Sequence, residues 1–237
     1  MSLFLTSSVR FIFVVLSYIV LSSAQENVLQ LNGQTSYVEI QDFDPLDKGL
    51  FTLTAWVWCE RESDELEAIM GVATSNAKYT MTLGWGSGRF YYSDGIKEAP
   101  VFGNNTYERH VWHHIALTME SEERDQYFDS GRNVASHRKG RIYVDGNLEV
   151  SFQTRVFDLT RPTLIAGAEY KQYAKVSHFS GLMDELRAYS TKLRQEQVAM
   201  LAFTTDELGD YGIVFRASFE DLPAGSGGKV VQTQNLA

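Results

Sequence analysis

Apolar side chains recur at every second position in strand-sized runs, and that period leaves few folds open to this chain. Phe51, Leu53, Ala55 and Val57 alternate with Thr52, Thr54, Trp56 and Trp58. Tyr79, Met81, Leu83 and Trp85 alternate with Thr80, Thr82 and Gly84. His113, Ile115, Leu117 and Met119 alternate with Trp112, His114, Ala116 and Thr118. Successive side chains of a strand point to opposite faces, so each run predicts an antiparallel strand with one face on a core. Turn signals fall between the runs at Asn32-Gly33, Gly86-Ser-Gly88, Asp94-Gly95 and Asp145-Gly-Asn147. The last lies between Ile142/Val144 and Leu148/Val150, which predicts a tight hairpin. Many short strands with almost no helical pattern predict an all-β sandwich of two antiparallel sheets.

Three segments depart from the alternation. Arg194–Phe203 places Val198, Leu201 and Ala202 on one helical face and predicts a short helix. Within Phe179–Tyr189, Phe179, Gly181 and Met183 keep one phase while Leu186 and Ala188 are one residue out of step. Burial of both sets requires a β-bulge near Asp184-Glu185. Glu120–Lys139 carries acidic residues in its first half and basic ones in its second, the pattern of a solvated insertion in a hairpin connection.

Residues 1–24 read as a secretory signal peptide: Arg10 is the positive n-region, Phe11–Leu21 the apolar run, and Ser22-Ser-Ala24 the cleavage site. That run falls well short of the roughly 20 residues of a spanning helix, so the expected product is secreted, with no membrane span in the mature chain. Losing Arg10 takes the net charge from −9 to −10. Such an acidic chain repels phosphate backbones and anionic lipid surfaces, which argues against nucleic-acid partners. Cys59 is the one cysteine, so no intrachain disulfide forms, and its phase with Val57 predicts a buried, inert thiol. Asn104-Asn-Thr106 is an N-glycosylation acceptor triplet in a loop-like stretch.

Five segments in fixed order, Leu31–Ile40, Phe51–Cys59, Trp112–Thr118, Arg141–Asn147 and Phe179–Tyr189, resemble the laminin-G-like jelly roll of the concanavalin A-like lectin/glucanase superfamily. The resemblance covers residues 28–203. It implies a jelly-roll domain at 25–205, with a helical turn after Tyr189. Residues 206–237 are then a linker and the first strand of an incomplete second domain, carried by Gly212–Leu222; the alternative is an extra edge strand on the same sandwich. The resemblance also implies a structural calcium ion. Asp184 matches the family's recurrent acidic position, and Asn32 with Gly33 lies where further oxygen ligands are wanted. The competing role for Asp184 is to satisfy exposed amides at the bulge.

The chemistry points away from catalysis. Glu62-Ser-Asp-Glu-Leu-Glu67 matches the E-x-D-x-x-E pattern that carries nucleophile and acid/base in laminarinase-type glucanases, but it sits in an acidic run that reads as a solvated loop. His113 and His114 point to opposite faces, and His110 and His114 are about 13 Å apart along a strand, too far for one zinc ion. Glycan binding needs aromatic faces beside hydrogen-bonding groups. Trp58 and Trp85 are the leading candidates, followed by Tyr91 and Tyr92. The expected function is a secreted, non-catalytic recognition or adhesion module for extracellular glycans or glycoproteins. The alternatives are a laminarinase-type glycoside hydrolase and a purely structural spacer domain.

Overall fold

The computed structural model describes residues 28–41, 43, 50–62, 64–74, 76, 78–96, 99–121, 137–155, 159, 161–204 and 212–217. The signal-peptide segment, most of the 120–139 insertion and the chain beyond 217 lie outside the described residues. Fifteen strands are described: β1 (Leu29–Asn32), β2 (Val38–Ile40), β3 (Phe51–Cys59), β4 (Glu67–Ala73), β5 (Thr80–Gly86), β6 (Arg89–Ser93), β7 (Val101–Phe102), β8 (Trp112–Ser121), β9 (His137–Val144), β10 (Asn147–Arg155), β11 (Thr163–Ala166), β12 (Glu169–Lys171), β13 (Ala174–Val176), β14 (Ser180–Tyr189) and β15 (Ile213–Ala217). A helix, α1 (Gln195–Phe203), follows β14.

Two antiparallel sheets face each other. One has seven strands in the order β1-β14-β3-β8-β9-β10, with β15 also on β14; the other has six, β2-β11-β4-β5-β6-β7. This is the two-sheet antiparallel sandwich that the alternation predicts, in the jelly-roll form that the resemblance implies. Phe51, Leu53, Ala55, Val57, Ile115, Leu117 and Met119 from the first sheet meet Met81, Leu83, Trp85 and Phe90 from the second in one continuous core. Cys59 is buried and unbridged, and burial pushes its thiol well above the usual range. The predicted turns follow from backbone that accepts positive φ. Ser87 and Gly88 join β5 to β6 at φ 51 and 73°, Asp145 and Gly146 join β9 to β10 at 48 and 76°, and two such residues in succession match the right-handed strand twist.

The bulge falls where the phase slips. Asp184 opposes Trp56 and Arg187 opposes Thr54, so Glu185 and Leu186 stand against one residue of β3, with Glu185 at φ 50°. The slip brings Met183 before it, and Leu186 and Ala188 after it, all into the core. It also divides the outer edge of β14: β1 pairs with Ser180–Met183 and β15 with Leu186–Tyr189. Phe215 of β15 is buried in the core and meets Phe43 edge to face at 6.1 Å. Residues 213–217 therefore pair as an edge strand of this sandwich, and the rest of the segment 206–237 lies outside the described residues apart from Gly212.

Candidate functional site

The outer faces of the two sheets differ. A hairpin, β12 and β13, seals much of the six-stranded sheet. Glu169 accepts hydrogen bonds from the Thr82 and Ser177 hydroxyls at 3.0 and 2.7 Å. Tyr170 donates to Glu39 at 2.9 Å, and Lys175 pairs with Glu39 at 2.8 Å. Ala73, Ile165, Ala168 and Tyr170 form a separate apolar cluster there. On the seven-stranded sheet, α1 covers only part of the outer face, burying Ala116, Tyr143 and Tyr189 against Val198 and Leu201.

The remainder of that face carries three tryptophans. Trp58 lies between Leu182 and Trp112 in the strand register, and Trp56 between Asp184 and His114. All three tryptophans are half-buried. The Trp58 ring meets Trp112 at 6.0 Å and the exposed His110 at 6.1 Å, and Trp56 meets His114 at 5.5 Å. Edge-to-face packing of this kind fixes the rings without covering them. Gln30, Asp184 and Glu185, none of them buried, supply hydrogen-bonding groups along one margin. Beside Trp56 on this sheet, Thr54 Oγ1, His114 Nδ1 and Arg187 Nε are buried without a hydrogen-bond partner among the described residues. Burial beside the Arg187 guanidinium pushes His114 down to about 4, so it is neutral at physiological pH.

The other aromatic candidates are core residues. Trp85 is 1 % exposed and stacks edge to face on Phe90 at 5.0 Å, because its phase points inward. Tyr92 is buried against Phe152, with ring centroids 4.0 Å apart, and its hydroxyl donates to Thr154 at 2.9 Å. Tyr91 is in the outward phase, yet it is 1 % exposed: it lies over Gly84 and bonds the Glu67 carbonyl at 3.3 Å. None of these three can stack on a ligand here. Trp56 and Trp112, absent from the sequence candidates, take their place. The signal for Trp56 was its spacing of two from Trp58 on the non-core phase; Trp112 needed the pairing of β3 with β8.

Asn32 and Asp184 do not share a coordination sphere. Asn32 opposes Ser180, four residues before Asp184 on β14, which separates the two by about 13 Å. Calcium bonds of roughly 2.3–2.6 Å cannot bridge that gap. Asn32 Oδ1 instead accepts the amides of Gln34, Thr35 and Ser36 at 2.9–3.0 Å, closing the turn after β1. Asp184 Oδ1 accepts the Glu185 amide at 2.7 Å, the bulge-capping role. Among the described residues no group of three or more His, Cys, Asp or Glu side chains could hold a metal ion. Asn32 and Asp184 are therefore not two ligands of one calcium ion.

The E-x-D-x-x-E match does not assemble a catalytic pair either. Glu62 and Asp64 stand exposed in the β3–β4 loop, whereas Glu67 begins β4 and is fully buried. Glu67 Oε1 pairs with Arg61 Nε at 2.7 Å and accepts the Ser180 amide at 3.2 Å. Burial pushes its carboxyl up to about 7 against the pull of Arg61. His113 faces the core side, bonded to Asp145 at 2.9 Å, while His114 lies on the outer face.

A family profile of the laminin-G type, described as the concanavalin A-like lectin/glucanases superfamily, matches residues 32–199. The chain belongs to this family. No curated protein matches its sequence. Among solved structures, the CBM40 of the Ruminococcus gnavus IT-sialidase bound to α2,3-sialyllactose superposes with a TM-score of 0.54 at 13 % identity, over 75 % of this chain and 97 % of that one. A leech intramolecular trans-sialidase complexed with 2,7-anhydro-Neu5Ac superposes with a TM-score of 0.51 at 16 % identity, over 77 % of this chain and 28 % of that one. At these identities the likeness is one of fold.

Proposed function

We propose that this domain is a secreted, non-catalytic recognition module that binds an extracellular glycan on the tryptophan platform of the seven-stranded sheet. The observation that carries this reading is the fixed, half-open cluster of Trp56, Trp58 and Trp112, with unpartnered polar atoms beside Trp56. A pyranose offers an apolar C–H face to such rings and hydroxyls to the groups around them. The bound saccharide in the Ruminococcus gnavus CBM40 supports the use of this sandwich for sugar recognition. The dispersed Glu62, Asp64 and Glu67 lend no support to the hydrolase alternative.

A glycan array probed with the secreted protein, with calcium and with chelator, tests the reading. Saturable binding to one sugar class is expected. Trp58→Ala or Trp112→Ala should weaken it by about 30-fold, the effect of losing a central aromatic anchor worth about 2 kcal/mol. Tyr173→Ala, an exposed aromatic on the opposite sheet's hairpin, should leave it unchanged. Equal losses for all three variants, or binding by none of the arrayed glycans, would overturn the platform. Binding lost only under chelation would call for an ion other than one shared by Asn32 and Asp184.

A further inference from the structure

The tryptophan platform carries a charge pattern as well as an apolar face. Glu60 follows Trp58 by two residues, and its amide donates to the Ser180 carbonyl at 3.1 Å. It therefore continues the β3 ladder by one step, in the phase of Trp56 and Trp58, about 7 Å along the strand from Trp58. Glu60 is half-buried, and no lysine or arginine among the described residues pairs with it. Asp184 stands directly opposite Trp56 on β14 and so shares its face. Only its Oδ1 is needed to cap the bulge, where it accepts the Glu185 amide at 2.7 Å. Two carboxylates thus flank the rings, one at the Trp58 end and one beside Trp56.

The arginines of the flanking segments do not offset them, because each is matched elsewhere. Arg61 pairs with Glu65 and Glu67, and Arg187 and Arg216 both pair with Glu185. Arg109 lies where its charge acts on the buried Cys59 and Glu67. On the β8 side Asp145 accepts the His114 amide at 2.9 Å, which adds a third carboxylate close enough to act on the His114 imidazole. The whole chain has the same sign, with a net charge of −9. A sugar lying on these rings meets hydrogen-bond acceptors of negative charge and no guanidinium fork set to receive an anion.

Resting on the glycan reading of the platform, we infer that this rim sets the charge of the ligand: the site takes a neutral glycan and rejects counterparts that carry a carboxylate or a sulfate. Sugar hydroxyls donate to carboxylates in charge-assisted hydrogen bonds, so Glu60 and Asp184 favour a neutral ring. An acidic substituent in the same place has no proton to donate and meets like charge. Across water, one unit charge about 7 Å away weakens binding by about threefold. The repulsion grows as the ligand displaces water from the rings, since the local dielectric falls. Selection of this kind works through a repulsive element and needs no extra contact to the favoured ligand.

The test uses the full chain on the same glycan array, at low and at high salt. Each neutral glycan is compared with its sialylated, uronylated or sulfated form, and the tightest pair is then titrated by tryptophan fluorescence. The acidic member should bind about tenfold more weakly at low salt, and the gap should close as salt rises. Glu60→Gln should narrow the ratio of the two affinities about threefold and Glu60→Lys about tenfold, in step with charge. A purely steric block would leave that ratio the same in all three proteins. Acidic members that bind as tightly as neutral ones, or a ratio that neither salt nor Glu60→Lys moves, would overturn the inference. Loss of that binding in Trp58→Ala would then show that the platform itself stands. Binding by none of the arrayed glycans would remove the platform, and this inference with it.

Discussion

Two buried ionisable side chains work against each other on the pH axis. Glu67 has its carboxyl raised from 4.5 to about 7 by burial, and His114 has its imidazole lowered from 6.5 to about 4 by burial and Arg187. The folded state holds the Glu67 proton more tightly than the unfolded chain does, so the stability it contributes is lost as pH rises from 4.5 to 7. The folded state resists protonating His114, so that contribution is lost as pH falls from 6.5 to 4. Each ramp is on the order of 3 kcal/mol, and over their shared window the two nearly cancel. Glu67→Gln removes one ramp and uncovers the other. Denaturant titrations at pH 4.5, 5.5 and 6.5 should show the variant losing about 3 kcal/mol more stability toward acid than wild type does. Parallel profiles for the two proteins would show that Glu67 does not titrate in this window.

At the level of strands, the pairing of β5 with β6 depends on a missing side chain. A Cβ on Gly84 would come within 2.3 Å of Tyr91 Cζ and 2.5 Å of the Glu67 carbonyl oxygen. The ring could shift, but the β4 backbone could not without losing its own ladder. Gly84→Ala should therefore cost about 2 kcal/mol, within the usual range for overpacking, read as a lower denaturant midpoint at unchanged slope. A loss below about 0.5 kcal/mol would mean that the sheet absorbs the methyl group. The same contact marks the limit of what alternation can disclose. Period two assigned Leu53, Leu83 and Leu117 to the core and the slip at Asp184-Glu185 to a bulge, because both depend on neighbours along the chain. Tyr91 stands on the outer face of β6, but its burial depends on Gly84 and Glu67 from other strands. Trp58 and Trp112 become one platform only through the β3–β8 register, a relation between residues far apart in sequence. Asn32 and Asp184 fail as a pair for the same reason, since their spacing is set by the β1–β14 register.

Across the whole molecule, the decisive question is whether the last described strand shares the cooperativity of the sandwich. β15 pairs with the half of β14 beyond the bulge, from Leu186 against Ala217 to Tyr189 against Ile213. The Ser190 amide donates to the Gly212 carbonyl at 2.8 Å at the end of this pairing. Phe215 is 4 % exposed and belongs to the same core cluster as Phe51 and Leu53. Truncating a buried aromatic costs about 3–5 kcal/mol, and a position on an edge strand belongs at the lower end. That is a large fraction of the 5–15 kcal/mol that holds a typical domain together. The four tryptophans lie in β3, β5 and β8, so their fluorescence reports the sandwich away from β15. Phe215→Ala should lower the midpoint of that fluorescence transition in step with the loss of far-ultraviolet ellipticity, by about 3 kcal/mol, as one cooperative unit requires. A tryptophan transition at the wild-type midpoint would mean that residues 213–217 fold independently of the sandwich, and would support the reading of this strand as the start of another domain.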